Sequence, residues 1–199
     1  MILNEDNSDS VNLAAKLLKS NGLVILPTDT IYGIAADANS DSAIQKIYNL
    51  KKRSKKKPIA IFLKNIIEIE KNFILNDLER EIIQKYIPGA ITIILRPKKN
   101  NKFSKLLNQN NDSVAVRIPN HKFCLKLLNE FSGPIAISSS NVSGQKEINN
   151  INLLEKQFNN DVDLIIEGEL GKKQIASTII KIENNEVKIL RQGLLNIYS

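Results

Sequence analysis

The 199-residue chain has no tryptophan, one histidine, one cysteine and one methionine, and phenylalanine and tyrosine together make up only 5% of it. A single cysteine, Cys124, excludes an intrachain disulfide, and with His121 the only histidine there is no Cys/His cluster of the kind structural zinc needs. No aromatic motif of the RNA-recognition type is present. Neither the G-x-x-x-x-G-K-[ST] phosphate loop nor the G-x-G-x-x-G fingerprint occurs, so any nucleotide must be held by a different kind of site. No apolar run approaches the ~18 residues of a membrane span. The first ten residues carry Glu5, Asp6 and Asp9 instead of a basic patch followed by an apolar stretch, and a cytoplasmic protein without membrane association is expected.

What the chain does have is positive charge. A net charge of +7 and a pI of 9.4 favour an anionic partner such as a nucleotide, polyphosphate or RNA. The Lys/Asn/Ile enrichment behind that charge is also what an AT-rich genome produces. The placement of Lys51 to Lys57 is a separate matter, because it clusters cations at one point of the chain. A hydrophobic fraction of 42%, a charged fraction of 25% and the lack of a linker-like stretch point to one domain, residues 1–199.

Hydrophobic periodicity predicts an amphipathic helix over 9–20, capped by Asp9 or Ser10 and ended by Gly22, then a strand over 23–26. A second helix is expected from Ser40, with Ala43, Ile44, Ile47 and Leu50 inward. Asn76 with Glu79 resembles a capping box that opens a helix to Tyr86, before Pro88-Gly89. Further strands are predicted over 59–63, 92–96, 114–118, 135–138, 164–167, 178–183 and 187–190, the last two joined by a turn at Asn184-Asn185. The polar, asparagine-rich stretch 97–112 reads as a mobile loop or lid. Strands interleaved with helices give an α/β domain built on a mixed, twisted β-sheet flanked by helices.

Four segments could carry chemistry. Pro27-Thr28-Asp29-Thr30-Ile31-Tyr32-Gly33 follows an apolar strand, and in α/β proteins ligands bind beyond such strand ends. Lys51-Lys52-Arg53-Ser54-Lys55-Lys56-Lys57-Pro58 follows a helix, where cations either converge on a polyanion or complement the helix dipole as a solvated face. Ser138-Ser139-Ser140-Asn141-Val142-Ser143-Gly144 places small hydrogen-bonding groups after Ile135-Ala136-Ile137, to cradle an anion or simply to turn the chain. Arg117 lies inside an apolar strand, where a charge is costly unless an anion or acidic partner meets it. Arg191-Gln192-Gly193 could add one more phosphate contact. His121 reads as a surface or helix-start residue without an evident carboxylate partner, and Cys124 as a core residue beside Phe123, Leu127 and Leu128.

In their order and spacing, Pro27 to Gly33, Lys51-x-Arg53 with Lys57-Pro58, Pro88-Gly89 with Thr92, Arg117-x-Pro119, Ser139-x-Asn141 with Ser143-Gly144, Ser177-Thr178 and Arg191-Gln192-Gly193 resemble the YrdC-like family of L-threonylcarbamoyladenylate synthases, in its short, single-domain form. Ala90 stands where that family commonly has a second proline, and Ser138 and Ser140 replace a more usual Thr and Ala. The resemblance implies a nucleotidyltransferase that joins L-threonine, bicarbonate and ATP, with Mg2+ accompanying ATP, into threonylcarbamoyl-AMP and pyrophosphate. Downstream threonylcarbamoyl-transferase proteins would pass the group to the adenosine beside the anticodon in tRNA. It assigns Lys51, Arg53, Ser139 and Asn141 to the nucleotide and reacting groups, Lys57, Ser113 and Arg191 to ATP, and Thr30 and Arg117 to threonine. Two other readings compete: an RNA-binding protein of ribosome or tRNA maturation, with weak tRNA affinity carried by its lysines, and a carbamoyl-transferring domain with another acceptor.

Overall fold

Alternation of side chains along the strands sorts the apolar residues into two sets, one for each face of a single sheet. The strands are β1 (Ile2–Asn4), β2 (Val24–Leu26), β3 (Gly33–Asp37), β4 (Ala60–Phe62), β5 (Phe73–Ile74), β6 (Ile91–Pro97), β7 (Val114–Arg117), β8 (Ile135–Ser139), β9 (Leu164–Glu167), β10 (Thr178–Glu183) and β11 (Glu186–Arg191). Their order across the sheet is β1-β9-β2-β3-β8-β4-β7-β6-β10-β11, with β5 pairing the end of β6. Parallel pairs (β4 with β7, β6 with β10) alternate with antiparallel ones (β8 with β4, β6 with β7), so the sheet is mixed, as expected. The structure, a computed structural model, describes residues 1–107 and 112–197.

One face, with Ile25, Ile34, Ile61, Ile93, Val116 and Ala136, packs against α2 (Asp41–Leu50), α3 (Ile66–Asn72), α4 (Asp77–Tyr86) and α6 (Ile151–Phe158). The opposite face, with Val24, Ala35, Phe62, Ile135, Ile137 and Leu164, meets α1 (Ser10–Lys19) and α5 (Lys122–Phe131). Those two helices cover only the half of their face that lies over β2, β3, β8 and β9. Beyond Phe62 and Ile137 the face is left uncovered by helix, and that is where the candidate site lies.

Local chemistry explains most boundaries. Ser40 caps α2 through Ala43, and Asn76 with Glu79 forms the anticipated capping box of α4, each side chain accepting the other residue's backbone N–H at 2.8 Å. Asn184 and Asn185 both take positive φ, 52° and 62°, the backbone of a tight hairpin turn between β10 and β11. The start of α1 departs from expectation. Asp9 occupies the N-cap position without a capping bond, and Ser10 Oγ donates to the Asn4 carbonyl at 2.6 Å. Five elements stand where none was expected: β1, β3, α3, β5 and α6. The first four are short, and β3 opens on glycine and carries two alanines, a weak strand signal that pairing on both sides overrides.

The stretch expected as a lid is largely docked. β6 already extends through Pro97, Lys98 N–H donates to Asn72 O, Ser104 N–H donates to Ala38 O at 2.8 Å, and Phe103 stacks on Phe73. Leu107 is buried and its carbonyl accepts from Ile59 N–H at 3.0 Å. Three apolar side chains within a polar stretch, Phe103, Leu106 and Leu107, are enough to pull it onto the core. Residues 108–111 of that stretch lie outside the described residues. A docked strap predicts that Leu107→Ala lowers unfolding free energy by about 2–5 kcal/mol, against about 0.5 kcal/mol or less for a free loop; urea unfolding distinguishes the two.

Candidate active site

The uncovered half of the sheet is the floor of a cleft of about 400 Å³. Alternation brings Ala60 and Phe62 of β4, Ala115 and Arg117 of β7, Thr92 and Ile94 of β6, and Ser177 and Ile179 beside and on β10 to the same side. The two alanines keep the centre of the floor low. Strand direction fixes the ends. β8 finishes and β4 begins at one end, where Ser139, Arg53, Lys57 and Pro58 stand. β7 and β11 finish at the other, where Arg117 and Arg191 stand with Thr92 and Ser177. Among the described residues lining the cleft five are cationic (Arg53, Lys56, Lys57, Arg117 and Arg191) and none is acidic.

Arg117 is buried at the far end of β7, as its apolar strand required, and the partner it needed is built in. Its Nη2 donates to Asp29 Oδ1 at 2.6 Å, its Nη1 to Thr30 Oγ1 at 3.0 Å and its Nε to Gly89 O at 3.0 Å, with the Phe62 ring beneath the guanidinium. Of the two partners the sequence allowed, an anion or an acidic residue, the fold supplies the acidic residue, so the burial is explained without an external anion. Three of five N–H donors are used, leaving one on each terminal nitrogen. Thr30 is itself set by Thr28, whose hydroxyl sits 2.9 Å from Thr30 Oγ1, accepts from Thr30 N–H and donates to Ile31 O at 2.7 Å. The segment after β2 is thus a rigid hydroxyl-bonded loop. It also fits closely from behind, since a Cβ on Gly171 would lie 2.1 Å from Asp29 O.

Lys51 does not line the cleft. At 1% exposure it is among the most buried side chains, and its ammonium donates to Ser139 O, to Asn141 O at 2.7 Å and to Asn141 Oδ1 at 3.0 Å. Ser139 Oγ donates to the same Asn141 Oδ1 at 2.6 Å, and Asn141 Nδ2 closes the loop onto Gln145 O. Lys51 and Asn141 thereby form the frame behind the wall, and of the Ser139-x-Asn141 pair it is Ser139 that reaches the cleft. Burial pushes the Lys51 pKa down to about 7, nearby Arg53 acts the same way, and Glu147 opposes them.

Arg53 is oriented by its own loop, Nε donating to Lys57 O at 3.1 Å and Nη2 to Pro58 O at 2.8 Å. Arg191 folds back on Ser177 O at 2.8 Å, and Ser177 Oγ lies 2.7 Å from Thr92 Oγ1. The chain passes so close here that a Cβ on Gly193 would fall 2.3 Å from Ala176 O. Burial, the main cause, lowers the Arg191 pKa; Glu147 opposes it, and Arg117 and Arg53 add smaller downward pushes. Ser113 directly precedes β7, at the Ser139 end of the sheet, but is not among the cleft-lining residues.

The remaining candidates stay outside. Cys124 is a buried core thiol, its pKa raised by burial, donating to Pro27 O. His121 stands at the start of α5, and a carboxylate partner that the sequence did not suggest, Glu5 Oε2, is 3.6 Å away. Two participants were also missed: Asp29 as the acid that holds Arg117 across 88 residues of sequence, and Tyr48, whose hydroxyl reaches the basic loop. Neither pairing has a spacing signal, although the apolar strand around Arg117 announced that some partner must exist.

Lys51 carries a pH consequence. An unfolded lysine titrates near 10.5 and the folded one near 7, so between those values the unfolded chain holds a proton that the folded chain does not, and stability rises with pH. A Lys51→Met variant lacks this slope. The unfolding free energy of the wild type minus that of the variant should increase from pH 7 to 9 in urea unfolding; a difference that is flat or decreases would contradict the lowered pKa.

With this geometry in place, comparison with known proteins is direct. The pattern of the Sua5/YciO/YrdC family, described as telomere recombination, matches residues 16–193. A Methanocaldococcus jannaschii protein, named provisionally as a threonylcarbamoyl-AMP synthase, is 34% identical over 98% of this chain and 91% of its own length. The threonylcarbamoyl-AMP synthase of Bacillus subtilis is 29% identical over 94% of this chain and 54% of its own. Pyrococcus abyssi Sua5 complexed with L-threonine superposes with a TM-score of 0.88 at 27% identity, covering 97% of this chain and 57% of that one. A doubly substituted form of the same protein gives 0.92 at 26% identity, over 100% and 61%. This chain thus spans most of the first relative and little more than half of the others, and across that span it belongs to the Sua5/YciO/YrdC family.

Proposed function

We propose that this protein is an L-threonylcarbamoyladenylate synthase, forming threonylcarbamoyl-AMP and pyrophosphate from L-threonine, bicarbonate and ATP. The observation that carries the reading is the charge pattern of one cleft: a buried arginine fork with two free donors beside Arg191 at one end, Arg53 and Lys57 at the other, and no acid among the described lining residues. Such a site suits a small carboxylate joined to a polyphosphate. The names of the relatives, and the L-threonine carried by the Pyrococcus abyssi structure, support the same reading.

The chemistry runs in two steps. The threonine amine captures bicarbonate carbon, giving a carbamate and water; a carbamate oxygen then attacks the α-phosphorus of ATP, the bond from that phosphorus to the bridging oxygen breaks, and pyrophosphate leaves. No covalent enzyme nucleophile is required, so catalysis rests on positioning and charge compensation. In this assignment Arg117 receives the threonine carboxylate on its two unused donors, with Thr30 beside it. Arg53 and Lys57 compensate the phosphates from one end of the cleft and Arg191 from the other, Ser139 donates to the reacting groups, and Ser113 contributes at the nucleotide end. Lys51 and Asn141 act by holding Ser139.

The described residues contain no cluster of three His, Cys, Asp or Glu side chains able to hold a metal. Mg2+ would arrive with ATP and would add to the neutralisation of the triphosphate that Arg53, Lys57 and Arg191 provide. In a cell the product would go to downstream threonylcarbamoyl-transferase proteins in the cytoplasm for modification of tRNA. Weak tRNA contact would come from the exposed lysines of the basic loop, Lys52, Lys55, Lys56 and Lys57. No helix among the described residues is long and apolar enough to cross a membrane.

The test is product analysis: purified protein with ATP, bicarbonate and labelled threonine should yield threonylcarbamoyl-AMP and pyrophosphate in equal amounts. A protein that binds tRNA but releases no threonine-dependent pyrophosphate would return the choice to the RNA-binding reading. Arg53→Ala should lower turnover at least about tenfold, because a charge-assisted phosphate contact is worth roughly 1.5–3 kcal/mol. Arg117→Lys, which keeps the charge and loses the fork, should raise the threonine KM about tenfold or more while leaving the ATP KM within about threefold. Equal changes in both constants would detach Arg117 from threonine.

A further inference from the structure

The basic loop is exposed over most of its length, yet its two ends are fixed from below by one residue, through its hydroxyl at one end and its backbone carbonyl at the other. Tyr48 is buried on the inner face of α2, at 2% exposure, and its hydroxyl lies 3.1 Å from Lys57 O and 3.0 Å from Leu106 O. Its backbone carbonyl accepts from Arg53 N–H at 2.9 Å. The Lys57 carbonyl that the hydroxyl meets is also the acceptor for Arg53 Nε, and the following carbonyl, Pro58 O, holds Arg53 Nη2. A phenol has one proton, shared here between two carbonyls. Removing it takes a donor from one loop carbonyl, Lys57 O, which keeps only Arg53 Nε, and from one strap carbonyl, Leu106 O. Desolvation raises the Tyr48 pKa, which keeps the proton in place through neutral pH.

On the reading that this is a threonylcarbamoyl-AMP synthase, we propose that the Tyr48 hydroxyl is a positioning group for ATP: by joining the loop at Lys57 to the docked strap at Leu106, it fixes the Lys57 carbonyl, one of the two that aim the Arg53 guanidinium into the cleft. It touches neither substrate. Its influence passes through Lys57 O to Arg53, and it ties the loop to the strap that Leu107 anchors in the core. The threonine end of the cleft, built on Arg117, Asp29 and Thr30, shares none of these contacts.

Tyr48→Phe keeps the buried ring and deletes only the hydroxyl. The expected result is a rise of about threefold to tenfold in the ATP KM, with the threonine KM within about twofold of wild type and the unfolding midpoint little changed. The same rise should appear in the dissociation constant of a non-hydrolysable ATP analogue measured by calorimetry, an observation that needs no turnover. In a double-mutant cycle with Arg53→Lys the two effects should be less than additive, because both act through one guanidinium. Unchanged nucleotide affinity in Tyr48→Phe, full additivity with Arg53→Lys, or a loss of kcat that follows the unfolded fraction with both KM values unchanged would each overturn the proposal. Absence of threonylcarbamoyl-AMP from the wild type would refute the synthase reading alone, since the analogue measurement judges Tyr48 separately.

Discussion

The buried Lys51 ammonium is the constraint on which this molecule is organised. It closes the end of α2 onto the loop after β8, two parts of the chain about ninety residues apart, and it does so with a charge that burial makes hard to keep. Lysine solves a problem here that an apolar side chain would create. The carbonyls of Ser139 and Asn141 turn inward as the chain leaves the sheet, and only a donor with several N–H groups can satisfy them together. With that loop fixed, Ser139 is left at the rim of the cleft, and the residues that follow Lys51 begin their path around it.

A second frame holds the opposite end. Asp29 and Thr30 set Arg117, Thr28 sets Thr30, and the Gly171 backbone packs against Asp29. Both frames share a logic: a polar group that faces the cleft, Ser139 or Arg117, is held by one that does not, Lys51 or Asp29. Such support lets a site built on strand ends and loops keep its geometry, because each loop is hydrogen-bonded where it would otherwise be free. It also concentrates partly desolvated positive charge in one cleft, and burial, with a smaller push from Arg117 and Arg53, lowers the Arg191 pKa, a cost that an anionic ligand would relieve.

Much of this was legible in the chain. Asn76 with Glu79, Ser40 before α2 and the Asn184-Asn185 turn are local devices, and local devices read directly. Arg117 was legible in a different way: an arginine in Val114-Ala115-Val116 demanded a partner without naming it, and Asp29 answers from 88 residues away. What could not be read follows from the same distinction. β3 is a strand because β2 and β8 flank it, not because Gly33-Ile34-Ala35-Ala36-Asp37 favours one. The strap at 98–107 is docked through three apolar side chains that its asparagines and lysines outnumber. The division of labour between Ser139 at the cleft and Lys51 behind it is a matter of depth, which residue spacing does not encode.

The cleft floor has a consequence for how this protein can vary. Because the floor is one face of the sheet and the helix-packed core is the other, neighbours in sequence answer to opposite demands: Ala60 and Ala115 border the ligand space, while Ile61 and Val116, one step along each strand, lie in the interior. A change of size at 60 or 115 alters the room available to a ligand and asks nothing of α2 or α4. The same change one residue later must be absorbed by the close-packed interior. Ligand preference and folding are thereby written in alternate letters of the same strands, which lets one drift while the other is held.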